Sequence, residues 1–417
     1  MTGSISSRPS SPSYGSTSKL AHFLRVNDRL VIGAGGLILF IIMILASLSS
    51  EESFSTWQGL RLGKGGLNDF FGGAIQHGYF SVEKSKVDDH TFRFASVTDL
   101  DQLSRVPDEM MFRSVLVSGA LKYNPDTNQY SVEFDQSRTL YSKHNEEGRG
   151  MELSELIIYQ NRLLAFEDRT GMVYEILNKD GGTDSYVVPR FVVTEGPGET
   201  DKGMKWEWAA VKGGKLFMGS MGKEYTRPDG SIANSNNLWV ATLNENGELR
   251  RENWQDKYNF VRKALDAEFP GYLVHEAIDW SDHLKRWVFL PRRVSHEKYD
   301  DVVDERKGSN KLVLVSENFD DATVVDIQMK ELDPLHGFST IAFVPGTKDK
   351  HALAIRSVEE DCVGGDDATC KQRSYFIVFD VLTGEVLMDE VRYTEDIKLE
   401  GVEFVDIHTP EPQVVLQ

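Results

Sequence analysis

Cysteine is nearly absent: Cys362 and Cys370 are the only two in 417 residues. That excludes a disulfide-dense scaffold and any zinc cluster built on thiolates. Basic charge is scarce beside acidic charge, with Lys plus Arg at 46 against 65 for Asp plus Glu, a formal net charge of −19. A surface that acidic repels phosphate backbones, so no nucleic acid is expected as a partner; a small polyanion stays compatible where a cation mediates. The familiar catalytic signatures are missing as well. There is no GxSxG, HExxH, EF-hand loop or helix-opening GxGxxG, and the Gly-Lys-Gly-Gly at 63–66 lacks both the spacing and the hydroxyl of a P-loop. What remains is an ordinary globular balance, 40% hydrophobic and 27% charged, long enough for several domains or one large repeat fold.

Long apolar runs are also lacking, with one exception. From Leu30 to Leu48 the chain carries no charge over 19 residues, and as a helix this would span about 29 Å, the thickness of a bilayer core. Arg25 and Arg29 precede it and Glu51 and Glu52 follow. The positive-inside rule then predicts a cytosolic tail over 1–29, a transmembrane signal-anchor over 30–48 and a lumenal or external remainder. The tail is Ser-rich and expected to be disordered. Residues 49–90 read as a stalk, 91–410 as the folded domain and 411–417 as a C-terminal tail. The expected location is that of a single-pass type II membrane protein of the Golgi or ER lumen, with the cell surface, or secretion after cleavage, as the alternative. An oxidising lumen makes a Cys362–Cys370 disulfide plausible. No Asn-x-Ser/Thr sequon occurs after residue 50.

Across the folded domain a single shape recurs: a polar or acidic residue opens an apolar strand, a turn follows, and a second apolar strand returns. The anchors are Ser154, Glu207, Glu276, Ser339 and Glu400, spaced by 53, 69, 63 and 61 residues. The turns between paired strands read Gln-Asn, Gly-Gly, Ser-Asp and Pro-Gly. Periods of this size imply repeated units that bury their faces only against neighbours. Short strands favour an all-β, five-bladed β-propeller, its repeats of about 60 residues long enough to decorate one face with extended loops. One helix is expected at 259–269. The five anchors would converge on the propeller axis. Three carboxylates around one axis repel unless a hard cation with oxygen ligands joins them, and calcium is the natural choice; the bland alternative is five ordinary strand-edge residues.

Several words are more specific. GRGMELSEL (148–156), EDRTGMVYEI (167–176), GYLVHEAIDWSD (271–282), RWVFLPRR (286–293), DERKGSNKL (304–312), HGFST (336–340) and LEGVEF (399–404) resemble the calcium-activated nucleotidase, or apyrase, family, in particular its membrane-anchored members. The resemblance covers roughly 90–405. It implies a five-bladed propeller with calcium in its central tunnel, hydrolysing nucleoside di- and triphosphates with UDP or GDP preferred. It carries the family's calcium-binding positions onto Ser154, Glu207, Glu276, Ser339 and Glu400. Asp99, in Val-Thr-Asp-Leu-Asp, stands at a catalytic or calcium-shell acid, and Arg306 matches an arginine of the DERKG word.

Phosphoanhydride hydrolysis needs a positioned water and neutralised phosphates. Asp99 and then Glu155 are the candidate bases. Arg306 is the expected catalytic arginine, and Arg149, Arg292, Arg293 and Lys307 are the expected phosphate contacts; each has a surface ion pair as its plain alternative. Trp206, Trp208 and Trp280 are candidates for stacking on the base, with core packing as the commoner role. A weak homodimer is a further expectation. The rival reading is a non-catalytic, calcium-stabilised propeller that binds a lumenal protein.

Overall fold

The computed structural model describes residues 90–135, 137–179, 184–227, 229–362 and 370–407. The 30–48 run, the tails and most of the stalk lie outside them. Among the described residues no helix is long and apolar enough to cross a membrane. The chain builds an all-β, five-bladed propeller. The second blade shows the pattern: Leu153–Tyr159, Arg162–Glu167, Met172–Lys179 and Asp184–Val192 pair antiparallel in sequence order. The third runs Trp208–Lys212, Lys215–Gly219, Trp239–Leu243 and Leu249–Asn253. The fourth runs Tyr272–Ser281, Arg286–Ser295, Lys311–Ser316 and Ala322–Asp326. The fifth runs Gly337–Phe343, His351–Glu360, Lys371–Asp380 and Val386–Arg392. The first blade is built from both ends of the domain. Its innermost strand is Leu399–Glu403, which pairs with Thr91–Thr98; Phe112–Asn124 and Gln129–Phe134 follow, with Arg138–Ser142 also on Phe112–Asn124.

Innermost strands are buried on both faces, as in Tyr272–Ser281, where only Asp279 is less than fully buried. Outer strands such as Gln129–Phe134 alternate buried with exposed. The turns follow their residues. Gln160 and Asn161 both take positive φ, as do Gly213 and Gly214, closing two-residue hairpins of the kind that matches strand twist. Apolar faces meet between neighbouring blades, where five clusters of buried side chains fill the seams. Phe92 and Phe94 of the first blade pack with Leu353 and Phe376 of the fifth, so the ring is closed by hydrophobic contact as well as by strand pairing.

The expected helix at 259–269 forms earlier, at Gln255–Ala264. It stops because Asp266 turns left-handed. The Ala267 N–H then reaches the Arg262 carbonyl and the Asp266 N–H the Lys263 carbonyl, satisfying the last turn.

Candidate functional site

The innermost strands do not pair regularly with their neighbours. Register shifts fall at Ser154, at His275–Glu276, at Ser339 and at Glu400–Gly401. A bulge gives one strand an extra residue and re-aims a side chain. Four of the five spacing anchors therefore occupy bulges. The fifth, Glu207, sits just before its strand with its N–H donating to the Gly219 carbonyl at 2.9 Å. The result is convergence: carboxylate oxygens of Glu207, Glu276 and Glu400, from three blades, lie within 4.8 Å of one another. Ser154 is buried and its hydroxyl has no hydrogen-bond partner among the described residues, whereas the Ser339 hydroxyl donates to the Leu399 and Ile355 carbonyls. Three carboxylates whose oxygens meet this closely fit a hard divalent cation. Burial pushes Glu207 up to about 8 and Glu400 well above the usual carboxylate range, the response of acids crowded out of water.

Above these acids opens a cavity of about 640 Å³. Its mouth is made by the connections between the second and third strands of the blades: Asp99 and Asp101, Asp168 and Arg169, Lys223 and Tyr225, Tyr299 and Glu305, and Cys362, which is bonded to Cys370. Asp99 is buried here. Asp101 forms an Asx turn on it, the Asp101 N–H donating to Asp99 Oδ1 at 2.8 Å. Asp99, Asp101 and Glu152 form a second acidic group. Burial and the Asp99 charge raise Asp101 to about 7 and Glu152 to about 9.

Four cations thread between the acids. Lys398 Nζ lies 2.5 Å from Asp99, 2.9 Å from Glu359, 3.3 Å from Asp101 and 3.5 Å from Glu400. Lys205 pairs with Glu207 at 2.6 Å and with Asp168. Arg149 pairs with Glu152 at 2.5 Å and with Asp101 at 3.2 Å. Arg292 donates to Glu276, to Glu400 at 3.1 Å and to Glu359 at 2.6 Å. Burial opposes its charge, but those three carboxylates outweigh burial and raise the guanidinium further. Arg169 also lines the cavity, its Nε buried with no hydrogen-bond partner among the described residues.

Not every expected residue arrives. Arg306 is exposed and does not line the cavity. Lys307 is also off the cavity, paired with Glu297 at 3.0 Å. Arg293 lines it but is buried, 3.9 Å from Asp304, with Nη1 donating to the Leu335 carbonyl. Trp208 is fully buried in the core, its indole N–H shared between the Ser220 carbonyl and the Tyr258 hydroxyl, so it offers no face to a ligand. Trp206 is equally buried. Glu155 belongs elsewhere. It lines a smaller cavity of about 300 Å³ with Asp279, Trp280 and Glu403, among residues toward the far ends of the inner strands. Its Oε1 accepts from the Leu156 N–H and the Thr340 hydroxyl, and burial raises it well above the usual range. The bulge explains the split: Ser154 takes the extra place, and its neighbour is turned away. Glu152, Asp168, Lys205 and Lys398 carry no signal of their own in the sequence, yet each lies within two residues of an anchor or inside one of the family-like words.

A propeller with three carboxylates at its axis, beneath a cavity lined by both signs of charge, is built to hold an anion through cations. The chain belongs to the apyrase family, whose model matches residues 100–405. It is 40% identical over 315 residues to soluble calcium-activated nucleotidase 1 of Rattus norvegicus, covering 75% of this chain and 74% of that protein. It is 39% identical over 317 residues to an apyrase of Cimex lectularius, 75% and 82% of the two chains. An apyrase of Caenorhabditis elegans is 36% identical over 327 residues, 78% and 87% of the two. The chain is accordingly a nucleotide-hydrolysing enzyme.

Proposed function

We propose that this enzyme hydrolyses nucleoside di- and triphosphates in a calcium-dependent reaction, UDP and GDP being preferred, in a lumen or outside the cell. The observation that carries the reading is the meeting of Glu207, Glu276 and Glu400 within 4.8 Å beneath a cavity with Arg149, Arg169, Lys205 and Lys398 in or at its walls. Those three acids and Ser154 would hold calcium. When bound, the ion supplies positive charge that offsets theirs and attracts phosphate oxygens. Arg169 is the phosphate fork, since its Nε has no other hydrogen-bond partner among the described residues. Asp99, held by Lys398, accepts the proton of the attacking water. The water oxygen bonds to the terminal phosphorus while the bond to the bridging oxygen breaks. Inorganic phosphate and the shortened nucleotide leave, the bridging oxygen keeping the electron pair.

The test is phosphate release from a nucleotide panel by the full chain in detergent, with calcium, with magnesium and with EGTA. Release with calcium and none with EGTA is expected. Calcium-dependent stabilisation without phosphate release would leave a binding module instead. The anchor over 30–48 and the type II orientation rest on the charge flanking that run, and protease protection of 51–417 in sealed microsomes tests them. A weak homodimer is checked by sedimentation over a range of concentrations.

A further inference from the structure

The five inner strands frame a second cavity, of about 300 Å³, toward their C-terminal ends. Every blade contributes to it. Glu155 comes from Leu153–Tyr159, Val211 from Trp208–Lys212, Asp279 from Tyr272–Ser281, Ile341 from Gly337–Phe343 and Glu403 from Leu399–Glu403. The large cavity takes Val274, Glu276 and Glu400 from nearer the starts of such strands. The two cavities thus lie at opposite ends of the inner ring, and their chemistry differs. The large one mixes both signs of charge. The smaller one is lined by the carboxylates of Glu155, Asp279, Asp282, Asp349 and Glu403 and, among the described residues, by no lysine or arginine. His283 also lines it, with Nδ1 3.1 Å from Asp349 Oδ2. Lys212 approaches the Trp280 ring, 4.7 Å from its centroid, but its ammonium is paired with Glu317 at 2.6 Å.

Glu155 points to a missing donor. It is only 4% exposed. Its Oε1 accepts from the Leu156 N–H at 2.8 Å and from the Thr340 hydroxyl at 3.2 Å. Its Oε2 accepts from nothing among the described residues, although buried carboxylate oxygens are ordinarily hydrogen-bonded. A metal ion does not fit here. Among the described residues, the acidic groups whose oxygens meet within 4.8 Å are Asp99, Asp101 and Glu152, and Glu207, Glu276 and Glu400. No three acids of the smaller cavity converge in that way, and calcium takes six to eight oxygens at about 2.3–2.6 Å. The rest of the wall is hydrocarbon, from Ile157, Val211, Ile341, Phe343 and Val402, beside the Trp280 indole. Such a wall gives a bare ion nothing, but it covers the body of an organic cation.

We propose that the smaller cavity binds a primary alkylammonium, its head donating to Glu155 Oε2 and facing Asp279 and Glu403, its chain lying against the apolar wall and Trp280. The volume is at the low end of the ~300–1,000 Å³ range of small-molecule sites, which suits a short aliphatic chain. The site is separate from the hydrolytic one and stands whether or not that reading holds.

The test is calorimetry of pentylamine with the full chain at neutral pH, in calcium and in EGTA, beside 1-pentanol, which lacks the charge, and methylamine, which lacks the chain. Pentylamine should bind saturably, and each of the other two about tenfold more weakly or worse. Added calcium should not displace it. Glu155→Gln, which keeps an oxygen for Leu156 and Thr340, and Asp279→Asn should each weaken pentylamine about tenfold. Absence of pentylamine binding would overturn the proposal, as would equal affinity for 1-pentanol. Undiminished affinity in both variants would place the amine elsewhere, and competitive displacement by calcium would make the cavity a metal site; either result also overturns it. The ligand series needs no substitution, so it decides the matter even if a variant does not fold.

Discussion

Lys398 Nζ and Asp99 Oδ2 meet at 2.5 Å across the seam where the innermost strand of the first blade pairs with its neighbour. The ammonium, burial opposing it, is held charged by Asp101, Asp99, Glu359 and Glu400 together. It ties the expected base to the expected metal acids. Asp99→Asn should lower kcat by ~10²-fold or more, the size of a lost general base. Lys398→Gln should also lower kcat and, unlike Asp99→Asn, weaken cation binding by disturbing Glu400. Calcium titration beside steady-state kinetics separates the two variants.

Glu276→Gln removes one of three anionic oxygens from the axis and leaves Arg292 with one fewer carboxylate. Hydrolysis at low calcium should vanish while the far-ultraviolet spectrum stays that of a β-protein. Chelation of the unsubstituted enzyme should reproduce the loss. Full activity of Glu276→Gln at micromolar calcium would take this residue out of the site.

Two arginines divide a third prediction. Arg306 is exposed and off the cavity, so Arg306→Ala should leave kcat/KM within twofold. Arg169→Lys keeps the charge and loses the planar fork, and should lower kcat/KM about tenfold, ~1.4 kcal/mol of transition-state stabilisation. The reverse pattern would return the phosphate contact to Arg306.

A fourth concerns acid. Glu390 accepts from His336 Nδ1 at 2.8 Å and from Arg356. Burial pushes its carboxyl up, but the His336 hydrogen bond and the Arg356 charge outweigh burial and hold it below 4.5. A carboxyl lowered by folding contributes stability that is present above its ordinary value and lost as pH falls through its folded value. Melting temperature should therefore drop below about pH 4.5, and drop less steeply in Glu390→Gln. Parallel pH profiles would mean the triad adds nothing.

Gly401 tests the packing of the inner ring. A Cβ there would stand 2.4 Å from the Leu156 backbone nitrogen, so two inner strands approach as only glycine permits. Gly401→Ala should cost about 1–3 kcal/mol of stability, read as a lower denaturant midpoint, and should weaken calcium binding through Glu400. An unchanged midpoint would show that the strands part freely.

Much of this was legible in the sequence because repeat spacing and residue type agree. Glu207, Glu276 and Glu400 each open an apolar run at a blade-long interval, and each reaches the axis. The hairpins at Gln160–Asn161 and Gly213–Gly214 were readable for the same local reason. The bulges were not. A one-residue slip leaves no compositional mark, yet it sends Glu155 to the smaller cavity while Glu276 stays with the larger. The cations were hard to rank for another reason. Lys205 also pairs with Asp168, Lys398 with Asp99 and Glu359, and Arg292 with Glu359 and Glu400, so a local window of sequence shows only part of each cation's set of carboxylates. Trp208, beside Glu207, was a candidate for stacking with core packing as its commoner role, and packing is what it does: its buried ring fills the seam between blades.

The closing strand Leu399–Glu403 has a consequence for biosynthesis. Glu400 is the last of the axial acids to be made, and Asp99 among the first residues of the domain. A nascent chain halted before Lys398 would carry four blades and most of the cavity wall, yet neither the third axial carboxylate nor the Lys398 tether on Asp99. Competence to take up a cation is thus deferred until the strand that shuts the ring has emerged. A ribosome-bound intermediate should be inert toward nucleotide however much calcium surrounds it.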